Sequence, residues 1–116
     1  MPKVYPTEYE EACVFVEWLD LRGIKFSHLA QETYTKSWGV KMRNKKQGVK
    51  RGVPDYLCIV NNHLVFIELK RKGHGVVSQE QQGWIDALNI CKNTQAYVAK
   101  GANDAISIIE EILKIK

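Results

Sequence analysis

The stretch from Pro54 to Lys70, PDYLCIVNNHLVFIELK, decides the fold of this chain. It contains two runs rich in β-forming residues, 56–60 and 64–69, separated by Asn-Asn-His. Two neighbouring asparagines tolerate positive φ, so they suit a two-residue turn between antiparallel strands. Both runs are apolar on both faces, as expected of central strands in a sheet that helices cover. The sequence therefore predicts a hairpin at the centre of a helix-covered sheet.

The turn sets which side chains face each other across the hairpin. With the two asparagines as the turn, Val60 pairs with His63 and Asp55 lies opposite Glu68. Side chains alternate along a strand, which puts Lys70 on the same face as Glu68. Opposed residues have Cβ atoms ~4.5–5.5 Å apart, and like charges there are destabilising. A divalent cation would compensate the two carboxylates, and Lys70 adds a fixed positive charge beside them.

Such a pair of carboxylates suits Mg²⁺ or Mn²⁺, which prefer oxygen ligands. Either ion lowers the pKa of a bound water and neutralises charge that grows on a phosphate during in-line displacement. Pro54 cannot donate to a strand ladder, so it marks the start of the first strand beside Asp55. Two other interpretations stay open. In the first interpretation, Glu68 and Lys70 form a solvated end of the hairpin. In the second, a one-residue register slip separates Asp55 from Glu68.

Elements on both sides of the hairpin complete a single α/β domain. Capping boxes begin at Thr7 and Ser78, and Gly23 is placed to end the first helix. Trp84 is expected in the core, with ligand binding as the other interpretation. The stretch before the hairpin has no sustained period, which predicts mainly loop. The predicted order α-β-β-β-α-β-α consists of a helix over 7–22, a strand over 24–30, the hairpin, a helix over 78–90, a strand over 95–99 and a last helix after Gly101 that Asn103 caps.

Length and composition exclude several classes of protein. The chain has 116 residues and a net charge of +4, which fits one domain over residues 1–116. No apolar run approaches the ~18–20 residues of a membrane span, and the N-terminus lacks the apolar core of a signal peptide. Three dispersed cysteines and three scattered histidines argue against a disulfide framework and a zinc ribbon. We therefore expect a soluble, cytoplasmic protein.

Positive charge is concentrated just before the hairpin. The window from Thr33 to Pro54 holds seven bases and no acid, whereas the remaining chain holds 10 bases and 13 acids. This segregation indicates an anion-binding surface on an otherwise mildly acidic domain, and a solvated loop is the other interpretation.

Motifs around the hairpin resemble those of a nuclease family. Pro54-Asp55, followed by Glu68-Leu69-Lys70, resembles the signature of the PD-(D/E)xK nuclease superfamily. The wider pattern, GVKRGVPD, VFIELK and SxxQxxW, is similar to the virus-type replication-repair nuclease (VRR-NUC) domain of small phage proteins. The resemblance covers about residues 6–105. It implies a restriction-endonuclease-like core, in which helices flank a central mixed sheet of about four strands.

The resemblance also implies a metal-dependent enzyme that cuts DNA. Family members use a divalent cation, and stand-alone phage and bacterial examples are similar to Holliday-junction resolvases and commonly homodimeric. Matched by position, Asp55 and Glu68 are the implied metal ligands. The backbone carbonyl of Leu69 is a further implied ligand, and Lys70 is the implied catalytic lysine.

Two more site residues follow from the resemblance, each with a competing interpretation. Family members place an acid early in the first helix, where Glu8 matches; Ala12 replaces its companion glutamine, and Glu11 is a competitor. The helix macrodipole alone also favours an acid at position 8. Gln81 matches the site glutamine of the family, but it forms a good capping box with Ser78 by itself.

With this resemblance, the basic window from Thr33 to Pro54 is predicted to bind DNA along a track that leads to the metal. Its phosphate contacts would not select a base sequence. Two bases beyond the strand of Glu68 extend this positive field. The predicted DNA-binding residues are Lys36, Lys41, Arg43, Lys45, Lys46, Lys50, Arg51, Arg71 and Lys72.

Two functions of other classes stay open. One is a non-catalytic nucleic-acid-binding module that uses the basic loop 36–51. The other is a structural or partner-binding subunit that uses the apolar helix 102–116. That helix is equally compatible with a dimer interface and with packing inside the monomer.

Overall fold

The computed structural model describes residues 4–29, 37–73 and 75–115, which form one α/β domain. Its strands lie in the order β1-β2-β3-β4; β1, β2 and β3 are antiparallel neighbours, and β4 is parallel to β3. The α/β class, the mixed four-stranded sheet and the element order are confirmed, with α2 as an additional helix. The elements are α1 (Glu8–Leu21), β1 (Lys25–His28), α2 (Trp38–Lys46), β2 (Tyr56–Val60), β3 (His63–Lys70), α3 (Gln79–Ile90), β4 (Thr94–Lys100) and α4 (Ala102–Leu113).

The predicted register of the hairpin is confirmed. Val60 pairs with His63, and the pairing continues in step to the other end of the two strands. Asn61 and Asn62 both have positive φ, at 51° and 66°, as a type I′ turn requires. The turn therefore fixes the faces of the two central strands. Strand β1 is shorter than the predicted 24–30, and its last predicted residue lies outside the described residues.

Helices α1 and α4 cover one face of the sheet and enclose the core. Phe15 of α1, Ile109 of α4 and Ile67 of β3 are completely buried there. The apolar side of α4 thus packs inside the molecule. None of the helices in the described ranges is long and apolar enough to cross a membrane.

The N-terminal end of α1 is positioned by local signals that the sequence predicts correctly. Thr7 and Glu10 form a capping box, with reciprocal hydrogen bonds of 3.1 and 2.9 Å. Gly23, with φ of 67°, ends the helix and donates its N–H to the carbonyl of Asp20. This helix brings its first turn to the end of the sheet where the hairpin opens.

Helix α3 lies on the opposite face and covers only part of it. Asn89 holds α3 on β4 through two hydrogen bonds with the backbone of Ala96. Glu68 points to this face, where it meets α3. Over β2 and β3 the same face carries exposed apolar side chains, since Ile59 is 47% and Leu64 43% exposed.

The prediction of mainly loop before the hairpin is wrong for residues 38–46, which form α2. The Ser37 hydroxyl caps this helix by accepting a hydrogen bond from the N–H of Val40 at 3.3 Å. Gly48, with φ of 87°, ends it and donates its N–H to the carbonyl of Lys45. No residue of α2 is buried, so no apolar period in the sequence marks it.

The last helix begins earlier than predicted. It starts at Ala102 with Gly101 as its N-cap, so Asn103 lies inside the first turn and does not cap it. The chain turns directly from β4 into the helix at Gly101, where φ is 95°. The carboxylate of Asp104 accepts a hydrogen bond from the N–H of Lys100 at 2.8 Å, which stabilises that turn.

Candidate active site

Two acidic side chains meet where the hairpin opens. Asp55 follows the buried Pro54, and its Oδ2 accepts a hydrogen bond from the N–H of Leu69 at 3.0 Å. Glu68 is only 4% exposed. Both border a cavity of about 370 Å³, which Arg51 and Gln81 also line. The arrangement is the one that the hairpin register predicts.

Lys70 and Gln81 both contact the Glu68 carboxylate at Oε2. The Nζ of Lys70 lies 3.4 Å from this oxygen, and the side-chain amide of Gln81 donates a hydrogen bond to it at 3.0 Å. Gln81 also caps α3, because its Oε1 accepts a hydrogen bond from the N–H of Ser78 at 2.9 Å. The capping role of Gln81 is therefore confirmed, and the same side chain contacts Glu68, while its role in the site stays a prediction.

Burial makes ionisation of both acids unfavourable. Burial, together with the negative charge of Asp55, raises the pKa of Glu68 to about 7 against the opposing effect of Lys70. Burial likewise raises the pKa of Asp55, although the hydrogen bond from the N–H of Leu69 opposes this shift. A cation between the two carboxylates would relieve this cost.

The oxygen donors of the site suit a hard divalent cation. N–H and C=O of one strand residue point to the same side, so the carbonyl of Leu69 is directed towards Asp55. The next carbonyl, of Lys70, turns to the β4 side and accepts the N–H of Gly101 at 2.9 Å. Two carboxylates and a carbonyl match the oxygen preference of Mg²⁺ and Mn²⁺. Over the described ranges, no group of three or more His, Cys, Asp or Glu side chains is gathered for a metal.

The two acids of the first helix point to different places. Glu8 lines a second cavity, of about 270 Å³, together with Asp55 and Leu69, and its charge contributes to the raised pKa of Glu68. Glu11 instead lies against Gly101 at the start of α4. Of the two candidates, only Glu8 shares a cavity with Asp55.

Comparison with known proteins agrees with this geometry. The VRR-NUC domain family matches residues 3–103 of the chain. The chain belongs to the VRR-NUC domain family. A solved structure described as a VRR_NUC domain protein is 25% identical, with a TM-score of 0.77 over 98% of this chain and 92% of that chain. No curated protein matches this chain. Membership in the VRR-NUC family makes this a nuclease domain, a class that acts on DNA and generally uses a divalent metal.

The predicted DNA-binding bases before the hairpin lie on the surface of the VRR-NUC domain. Lys41 and Lys45 of α2 line a cavity that also reaches Arg51, which in turn lines the Asp55–Glu68 cavity. Arg43, Lys46 and Lys50 are exposed as well. Lys36 lies outside the described residues.

The two predicted DNA-binding bases after the hairpin differ from each other. Arg71 donates two hydrogen bonds, to the carbonyl of Pro6 at 3.0 Å and to that of Tyr5 at 3.1 Å. Its guanidinium thereby holds the segment before α1. Lys72 is exposed and lies near Glu11.

His28 is a site residue that the sequence did not indicate. It borders both cavities and stacks on Tyr56, with ring centroids 4.9 Å apart. Its charge also lowers the pKa of Asp55. The position follows from the pairing of His28 with Tyr56 across β1 and β2, which no local pattern in the sequence specifies.

The expectation that Trp84 belongs to the core is wrong. Its side chain is 37% exposed, and the indole Nε1–H donates a hydrogen bond to the carbonyl of Arg51 at 3.1 Å. Beside it, Gly52 approaches α3 so closely that a Cβ there would lie 2.6 Å from the carbonyl carbon of Glu80. The loop before Asp55 is therefore fastened to the first turns of α3.

Proposed function

We propose that this VRR-NUC protein is a Mg²⁺- or Mn²⁺-dependent DNA endonuclease that hydrolyses phosphodiester bonds. We further propose that it selects branched DNA, like a Holliday-junction resolvase, in phage DNA replication or repair. The observation that carries the proposal is the contact set of Glu68. A buried carboxylate with a raised pKa lies beside Asp55 and within 3.4 Å of the Lys70 ammonium.

Each site residue has a distinct role in this proposal. Asp55, Glu68 and the carbonyl of Leu69 would hold the cation, with Glu8 as a ligand or an outer-shell group. The cation supplies charge neutralisation at the scissile phosphate and a more acidic bound water. Lys70 orients the attacking water or stabilises the charge that develops on the phosphate. Gln81 keeps Glu68 in position through its hydrogen bond.

The DNA path runs from α2 to this site. Lys41 and Lys45 share a cavity with Arg51, and Arg51 also borders the carboxylates, which supports a continuous track for the phosphate backbone. Because the guanidinium of Arg71 is already hydrogen-bonded, its proposed part is to add positive field rather than a direct contact. The full proposed set is Lys36, Lys41, Arg43, Lys45, Lys46, Lys50, Arg51, Arg71 and Lys72.

The assembly follows from the proposed substrate. Symmetric incision of a four-way junction needs two active sites, so we propose a homodimer in which residues 1–116 of each chain form one nuclease domain. The protein would act in the cytoplasm of the host cell, where it meets replicating DNA.

Cleavage of labelled DNA tests the proposal. We expect Asp55→Asn, Glu68→Gln and Lys70→Ala each to lower the rate by about 100-fold or more, as the loss of a preorganised charged group in an active site commonly does. Binding of a labelled four-way junction should change little. The measurement is product formation from junction and linear duplex, with Mg²⁺ or Mn²⁺ titrated.

Two matched variants separate the site from general charge effects. Asp20→Asn changes an exposed acid at the far end of α1, and Lys92→Ala removes an exposed lysine at the opposite end of the sheet. Both should cut DNA like the parent. Unchanged cleavage by Lys70→Ala would exclude the proposed mechanism. Absence of products with every metal and substrate would favour a non-catalytic nucleic-acid-binding module.

A further inference from the structure

An apolar groove shares Arg51 with the Asp55–Glu68 cavity. Its volume is about 520 Å³, and its lining is formed by Lys50, Arg51, Glu80, Gly83, Trp84 and Ala87. That volume falls in the range of roughly 300–1,000 Å³ that is typical of small-molecule pockets. Almost all of the surface inside the groove is apolar, although two cations border it.

The Trp84 ring is held at the surface instead of being buried. Its indole N–H donates to the carbonyl of Arg51 at 3.1 Å, which uses its single donor and fixes the plane of the ring. The close approach of Gly52 to the backbone of Glu80 keeps the two walls of the groove together. The flat surface of the ring is therefore preorganised, so little conformational entropy of the protein is lost when a ligand binds to it.

The helix keeps the space beside this ring open. Gly83 precedes Trp84 inside α3, where glycine is less favourable than alanine by about 1 kcal/mol. A Cβ at position 83 would meet nothing within 4 Å, so no packing contact requires glycine there. A longer side chain at position 83 would enter the groove, because Gly83 forms part of its lining.

We infer that this groove binds an unpaired nucleobase of the DNA substrate, stacked on Trp84. An exposed aromatic ring beside cations is the arrangement that binds single-stranded nucleic acid, with stacking for the base and charge for the backbone. Lys50 and Arg51 face the flanking phosphates, while the acid Glu80 keeps phosphate out of the groove itself. Bases inside a continuous duplex are already stacked on both faces and do not enter.

This inference rests on the proposed nuclease function and refines its substrate. Arg51 lines both the groove and the Asp55–Glu68 cavity, so a base on Trp84 lies close to the scissile phosphate. The preferred substrate then has an unpaired nucleotide beside the cleaved bond, as at a flap or an open branch point.

The test uses 2-aminopurine, whose fluorescence falls when it stacks, in metal-free buffer that prevents cleavage. The parent should quench the probe at an unpaired flap position and leave it unchanged inside a duplex. Gly83→Leu fills the groove but keeps Trp84. We expect it to abolish quenching and to weaken binding of flap DNA by roughly 10-fold, the effect of losing one base–aromatic stack. Its thermal midpoint should not fall, because leucine is a better helix former than glycine.

Ile90→Ala serves as the matched control, because this exposed apolar residue at the end of α3 lies outside the groove. It should quench like the parent, whereas Trp84→Ala should not. Parent-like quenching by Gly83→Leu, or equal quenching of the duplex probe, overturns the inference. So does an altered oligomeric mass of Gly83→Leu with intact quenching, which would make the groove a protein interface. If stacking is seen but no DNA is cut, the groove stands and the nuclease proposal fails.

Discussion

At the scale of single residues, Glu68 shows how the site is assembled. One of its oxygens accepts a hydrogen bond from Gln81 and lies 3.4 Å from Lys70, while Asp55 repels it across the hairpin. Burial raises its pKa to about 7. The ionised form is therefore costly in the metal-free protein.

The stability of the metal-free protein should depend on this acid. A carboxyl whose pKa is higher in the folded than in the unfolded chain binds its proton more tightly when folded. The contribution of Glu68 to the free energy of unfolding is then fully present below the ordinary glutamate pKa of 4.5. It is lost as the pH rises towards about 7. Between pH 5 and pH 8 we expect the free energy of unfolding to fall by on the order of 2 kcal/mol in EDTA, and much less for Glu68→Gln.

Urea denaturation with EDTA at both pH values measures this difference. Added Mg²⁺ should restore the parent at pH 8 and have little effect on Glu68→Gln. The exposed acid Glu17, on α1, provides the control Glu17→Gln, which should keep the parent's pH dependence. An identical loss of stability in the parent and in Glu68→Gln would show that Glu68 does not carry the effect.

At the scale of elements, α2 is the helix that the sequence pattern does not predict. It has basic residues in its last turn, where the macrodipole favours them, and no buried side chain. A helix without an apolar side is not needed for the core. Two of its lysines lie one turn apart and line a cavity with Arg51, which agrees with a DNA-binding role.

Removal of these two lysines should alter the salt dependence of DNA binding. Each phosphate contact contributes about one unit to the slope of log K against log salt concentration, so Lys41→Ala/Lys45→Ala should flatten the slope by about two. Filter binding or anisotropy over a range of salt concentrations measures it. Lys92→Ala/Lys114→Ala removes the same charge at the other end of the molecule and should keep the parent's slope. An equal change in both double variants would show a general charge effect.

At the scale of the whole molecule, the uneven covering of the sheet bears on assembly. Helices α1 and α4 bury one face, whereas α3 packs on β4 and Ile59 and Leu64 stay exposed as neighbours on β2 and β3. Exposed apolar side chains side by side on a sheet favour association. A second copy that covers them would bring two active sites into one particle, as the proposed junction cleavage requires.

This arrangement predicts the mass of the protein and the outcome of junction cleavage. Sedimentation should give the parent twice the mass of one chain. Leu64→Lys should have the mass of a single chain, because an interface at this position would bury the lysine charge. The variant should cut one strand of a four-way junction without the paired second cut. Val14→Lys, at an exposed apolar position on α1, should stay dimeric. A monomeric parent, or a dimeric Leu64→Lys, would exclude this face as the interface.

Much of the site can be predicted from the hairpin alone. The Asn61-Asn62 turn and the two-residue period of a strand determine that Asp55, Glu68 and Lys70 share one face. These signals act between residues that are neighbours in the chain or across one turn. The prediction about α2 fails because this helix has no buried side chain and therefore no apolar period. Those about Asn103 and Trp84 fail because they depend on contacts with other parts of the chain, of Gly101 with Lys70 and of the Trp84 indole with Arg51.

By itself the sequence determined the element types other than α2, the hairpin register, the helix caps at Thr7 and Ser78 and the segregated charge, since all of these are local. Only the tertiary structure decided that Glu8 rather than Glu11 shares a cavity with Asp55, and that His28 lines both cavities. It also decided that Gln81 joins Glu68 to α3. The physical reason is that these contacts depend on the angles at which separate helices and the edge strand pack, which no local pattern specifies.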